Sequence, residues 1–121
     1  MYATSPHLNL LVLRSPDIDR AVKFYTAMGL SFTKHAHGAG PEHYASKMAG
    51  LVFEIYPATS AAPSTASTRI GFMVDSIDDV VRLVAEAGAV IVKAPHDSEW
   101  GRRAVVKDLD GHTVELVGMI G

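Results

Sequence analysis

The feature that most constrains this chain is that it repeats itself. Ile18, Ala21, Val22 and Tyr25 fall at i, i+3, i+4 and i+7, the spacing of an amphipathic helix, and Ile77, Val80, Val81 and Val84 reproduce it 59 positions later. Gly29 and Gly88, also 59 apart, stop the two helices. A short apolar run precedes each helix: LNLLVLR (8–14) in the first half and TRIGFMV (68–74) in the second. Both read as strands buried on at least one face. SPD and DSIDD supply the caps, with Ser15 or Asp17 as the first N-cap. Three strands follow in each half. In the first they are LSFTKHA, HYASKM and LVFEIY, the last two joined at Ala49-Gly50 as a hairpin. In the second they are AVIVKA, RRAVVKD and TVELV, separated by the loop HDSEWG and the turn DLDGH.

The expected architecture is therefore α+β: tandem βαβββ modules, residues 1–56 and 68–121, forming a cup-shaped mixed sheet in a single domain. The small, polar, proline-containing stretch PATSAAPSTAS (57–67) is the linker between them. One helix covers one sheet face of each module, so the other face must line a cavity or close against a second module.

Composition bounds the function. Of 121 residues 48% are hydrophobic and 20% charged, which suits a folded globular domain. The formal charge of -2 is spread along the chain, without the basic patch a nucleic-acid partner requires. The absence of cysteine excludes disulfides, thiol catalysis and Cys-type zinc sites. The N-terminal apolar run is too short to span a bilayer and has no basic leader before it, so no membrane partner is expected and the cytoplasm is the default location.

Each half ends in an apolar strand with one central glutamate, Glu54 in VFEIY and Glu115 in TVELV, 61 apart. Burying an unpaired carboxylate costs several kcal/mol, so these acids need a reason. Alternation puts Leu51, Phe53 and Ile55 toward the helix and Val52, Glu54 and Tyr56 toward the cavity. By the same parity Thr113, Glu115 and Val117 face the cavity in the last strand. Two carboxylates are expected to enter one cup.

The segments SPDIDRAVKFYTAMGL, VFEIY, RIGFMVDSIDDVV and EWGRRAVVKDLDGHTVELV resemble the vicinal oxygen chelate superfamily, which includes glyoxalase I, bleomycin- and fosfomycin-resistance proteins and extradiol dioxygenases. The resemblance covers nearly the whole chain. It implies the paired-module fold, a small-molecule cup and, in the usual family manner, a symmetric homodimer. It also implies four cavity positions that hold a divalent metal in metal-binding members, which fall here on Leu10, Glu54, Arg69 and Glu115. Leu10 has no donor atom and Arg69 no lone pair to give. The two carboxylates that remain are too few for a closed zinc site. The expectation is no metal and no cofactor, with Arg69 standing where the cation would be. The alternative is a bound divalent ion: zinc, nickel, manganese or iron.

The stretch HAHGAGPEHY (35–44) holds three of the six histidines. His35, His37 and His43 fit a zinc site, or a loop that simply turns at Gly38 and Gly40. In the register that an Ala49-Gly50 turn imposes, Ala45 opposes Glu54 and His43 opposes Tyr56. His43 and Glu54 then become diagonal neighbours on one face. The alternative places His43 on a strand surface. His7, His96 and His112 are expected to be structural or solvated. Trp100, the only tryptophan, is either a lid over the cup or a dimer contact, with Arg102 or Arg103 offering charge to an anionic ligand.

Two functions follow. One is a small-molecule-binding protein with a metal-free cavity, contacting its ligand through Arg69, Tyr56, Trp100 and Arg103. The other is a glyoxalase-like lyase or isomerase acting on a small carbonyl compound. There Glu54 or Glu115 is the base, and Arg69 or His43 replaces the metal as electrophile.

Overall fold

In the computed structural model, residues 5–118 are described. The elements run β1 (Leu10–Ser15), α1 (Ile18–Met28), β2 (Thr33–His35), β3 (His43–Met48), β4 (Leu51–Pro57), β5 (Arg69–Val74), α2 (Ile77–Glu86), β6 (Val90–Ser98), β7 (Gly101–Lys107) and β8 (Thr113–Gly118). This is the α+β architecture of two βαβββ modules. The strands form two four-stranded mixed sheets, β1-β4-β3-β2 and β5-β8-β7-β6. In each, the first strand runs parallel to the last and the remaining pairs are antiparallel.

Local chemistry sets the helix ends. Asp17 caps α1 by accepting from the Arg20 amide at 3.1 Å, and Ser76 caps α2 by accepting from the Asp79 amide at 3.3 Å. Past α1 the chain reverses at Gly29 (φ 121°), a conformation that only glycine adopts without strain.

Three expectations are corrected in detail. LSFTKHA pairs only at Thr33–His35. The loop read at HDSEWG begins later, because His96, Asp97 and Ser98 belong to β6; irregularities between Ile91 and His96 hide its alternation. The linker is also less idle than its composition suggests. Pro57 ends β4, and the Thr65 hydroxyl accepts from the Arg14 amide at 2.9 Å while lying 2.7 Å from His112 Nε2.

The core lies between the modules. Helices α1 and α2 pack together, and Tyr25 stands edge-on to Phe24 and Phe53, with ring centroids 4.7 and 5.0 Å away. Phe72 of β5 reaches Phe53 at 6.1 Å and Tyr25 at 6.2 Å. The helix-side faces of the two sheets thus share one apolar core, and the opposite faces turn outward. A buried polar cluster crosses the same junction. The Tyr25 hydroxyl donates to Asp108 Oδ2 at 2.6 Å, and Asp108 Oδ1 accepts from the amides of Asp110, Gly111 and His112. His112 Nδ1 lies 2.8 Å from Asp108 Oδ2, outside ideal hydrogen-bond geometry.

Candidate functional site

Strand parity places both glutamates as expected. Phe53 and Ile55 are fully buried, whereas the Glu54 side chain between them keeps 18% exposure; Val114 and Leu116 likewise flank Glu115, whose side chain keeps 16%. The expectation of one shared cup fails within a single chain. The faces carrying the glutamates lie opposite the faces that meet in the core, so each acid looks outward from its own sheet and has its own partners.

On the module-one face the predicted register holds. Met48 pairs with Leu51 and Ala45 with Glu54. His43, 2% exposed, stacks on Tyr56 with ring centroids 4.1 Å apart, and its Nε2 lies 3.6 Å from Glu54 Oε2. Its Nδ1 lies 3.2 Å from the Pro41 carbonyl oxygen, which accepts a proton held on that nitrogen. The Arg14 guanidinium sits over the Tyr56 ring, 5.0 Å from its centroid. Sequence reasoning missed Arg14, although its pairing with Tyr56 across β1 and β4 puts it on the cavity parity.

On the module-two face Glu115 is held by two guanidinium groups. Arg69 Nε donates to Oε2 and Arg103 Nη2 donates to Oε1, the latter at 2.8 Å. The Arg69 bond is the main reason the Glu115 carboxyl is held below the ordinary carboxylate range. Arg69 therefore serves Glu115 alone, not both glutamates. A cleft of about 590 Å³ opens beside them, lined by Lys93, His96 and Trp100 as well as Arg69, Arg103 and Glu115. A second cleft, about 630 Å³, continues from the same three residues along β5 to Met73. Trp100, 65% exposed, stands at the β6–β7 turn. Arg102 points elsewhere, to Asp78 and Asp97. Lys93, on a segment expected to be a strand, and His96, expected in a loop, were not anticipated in the cleft, because the irregularities of β6 break the alternation that would show which side chains share its face.

The four positions at which related proteins hold a metal do not fit a divalent ion here. Leu10 has no donor atom, and Arg69 presents a cation that is already bonded to Glu115.

Residues 7–116 match the family model described as Glyoxalase/Bleomycin resistance protein/Dioxygenase superfamily. The chain belongs to that superfamily. An uncharacterized protein of Mycolicibacterium smegmatis is 29% identical over 105 residues, 87% of each chain. Among solved structures of the superfamily's fold, TnmS3, an antibiotic binding protein from Streptomyces sp. CB03234, superposes with a TM-score of 0.78 at 21% identity over 98% of this chain and 100% of its own. TioX from Micromonospora sp. ML1 superposes with a TM-score of 0.73 at 23% identity over 95% and 100%. Identities this low speak to the fold alone. Like other members, the chain has paired βαβββ modules, and none of its described helices is long and apolar enough to cross a membrane.

Proposed function

We propose that this protein binds a small organic anion with a flat apolar part in the module-two cleft, without metal in that cleft and without turnover. The observation that carries the reading is the charge balance beside Glu115. Arg69, Arg103 and Lys93 line the cleft with that single carboxylate among them, so two positive charges stay unbalanced even with His96 neutral. Guanidinium forks suit a carboxylate or phosphate group, and the exposed Trp100 face suits a ring. The volume falls within the range of ordinary ligand pockets. The antibiotic binding neighbour supports binding as a role for the fold.

The working unit in this reading is a homodimer. Strands β1 and β5 end their sheets, and Leu8, Leu10 and Met73 beside them are 69%, 48% and 69% exposed. Setting β1 of one protomer beside β5 of its partner covers these side chains and joins a module-one face to a module-two face. Tyr56 and Glu54 then complete the cup that Arg69 and Trp100 begin.

A second reading has one specific observation in its favour. His43 and Glu54 lie 3.6 Å apart with the His43 ring oriented by Pro41, an arrangement suited to moving a proton in a lyase or isomerase. Glu115, held as a carboxylate by Arg69, is the poorer base.

Because Trp100 is the only tryptophan, its fluorescence reports on the cleft. Titration with anionic, neutral and cationic aromatic compounds should select anions, with affinity falling as salt rises. Arg69→Ala and Arg103→Ala should each weaken binding by roughly 10- to 100-fold, the loss of a hydrogen bond between charged groups. Preference for cations or neutral compounds, or unchanged binding by both variants, would overturn the reading. Product formed from a carbonyl compound and abolished by Glu54→Gln would favour the enzyme.

A further inference from the structure

We infer that the module-one face carries a transition-metal site built on His35, His37 and His43, which lies beside Glu54 but uses none of Leu10, Arg69 and Glu115. The rings of these three residues form a triangle with centroid separations of 5.6 Å (His35–His37), 5.8 Å (His35–His43) and 5.4 Å (His37–His43). Three imidazoles bound tetrahedrally at ordinary zinc–nitrogen distances have centroids roughly 5 Å apart, so the triangle is close to size. The backbone holds it there. His35 and His43 are directly paired across β2 and β3. The loop between them folds back through Gly38 (φ 58°) and a turn in which the Gly40 amide donates to the His37 carbonyl oxygen at 2.8 Å. A Cβ on Gly40 would stand 2.9 Å from that oxygen, so the turn needs glycine there.

The second observation is the setting of His43. Its Nδ1 faces the Pro41 carbonyl oxygen, which leaves Nε2 free of a backbone partner and directed toward Glu54. A ligating histidine is commonly fixed in this way, one ring nitrogen held by a carbonyl and the other presented to the metal. Glu54, 3.6 Å from Nε2, supplies either a fourth donor or a negative charge beside the cation. In the rotamers observed, no three donors among the described residues converge on one centre. His35 and His37 are stacked at an interplanar angle of 13° and must turn about their side-chain torsions to bind. His37 is exposed and His35 half-buried, so that turn displaces no core packing. An all-imidazole set favours zinc, nickel or copper(II) over magnesium or calcium.

The test is calorimetric titration of tag-free protein with zinc(II), and with magnesium as control, alongside cobalt(II) absorption to report coordination. One zinc per chain is expected, with a tetrahedral cobalt spectrum and no magnesium binding. His37→Asn, on an exposed loop where folding is not at risk, and His35→Asn should each weaken zinc by more than about tenfold. His37→Asn should leave the anion titration of Trp100 fluorescence unchanged while weakening zinc, so this inference and the ligand reading fail separately. No zinc binding at millimolar metal, or binding untouched by both histidine variants, overturns the inference.

Discussion

Tyr25→Phe isolates what the buried hydrogen bond between the modules contributes. The phenol oxygen is 2.6 Å from Asp108 Oδ2, and the residue is fully buried. Phenylalanine keeps the ring and hence the edge-on contacts to Phe24 and Phe53, so no cavity opens and only the hydroxyl is lost. A hydrogen bond to a charged group contributes about 1.5–3 kcal/mol. For a chain of this length that corresponds to a fall in Tm of roughly 5–15 °C. Burial raises the Asp108 carboxyl, but His112 and Tyr25 outweigh it and hold the group below its ordinary range. A depressed folded-state value contributes stability that is present above the unfolded value and is lost as pH falls through the folded one. Removing Tyr25's share moves the folded value upward. The variant should therefore lose stability at a higher pH than wild type on acidification, and the gap between the two should narrow once both are protonated. Thermal unfolding followed by circular dichroism from pH 7 down to pH 2.5 measures both effects. A Tyr25→Phe protein within about 0.5 kcal/mol of wild type at pH 7, or a gap that widens in acid, would refute the reasoning.

Two other outcomes follow from the packing. Met73→Glu puts a charge on the unpaired β5 edge, where the side chain is 69% exposed, and should shift a sedimenting dimer to monomer without lowering helix content; a monomeric wild type at micromolar concentration would remove the dimer from the functional reading. Phe53→Ala empties the centre of the inter-module aromatic cluster and should destabilise by about 3–5 kcal/mol in denaturant melts, whereas Leu83→Ala, on a residue 39% exposed, should cost far less.

The fold was legible because the repeat imposes helix spacing and strand parity twice, and the hairpin at Ala49-Gly50 fixed the pairing of Ala45 with Glu54 to the residue. What periodicity does not encode is how two modules meet. Both helix faces are apolar, but nothing in their spacing says that Phe53 and Phe72 share one core, and that contact is what turns Glu54 and Glu115 outward on separate faces. Lys93 and His96 escaped for a related reason: bulges in β6 break the alternation by which strands are read. The Tyr25–Asp108 bond spans 83 residues, and no local pattern announces it.

The two outward faces differ at several equivalent positions, and one of them, beside each glutamate, bears directly on the proposed chemistry. Ala45 pairs with Glu54 as Val105 pairs with Glu115, so His43 and Arg103, each two residues before, occupy the same diagonal place beside their glutamates. The acid is common to both modules, and the neighbour decides what it can do. An arginine keeps its proton throughout the ordinary pH range, so Arg103 together with Arg69 fixes Glu115 as a charged anchor and leaves positive charge over for a ligand anion. An imidazole nitrogen, unlike a guanidinium, can present a lone pair. His43 sets an imidazole beside Glu54, its Nε2 3.6 Å from Oε2, and the His35 and His37 rings lie 5.8 and 5.4 Å from its own. On the proposed reading the second module holds the anion, and the proposed metal site or any proton transfer falls to the first.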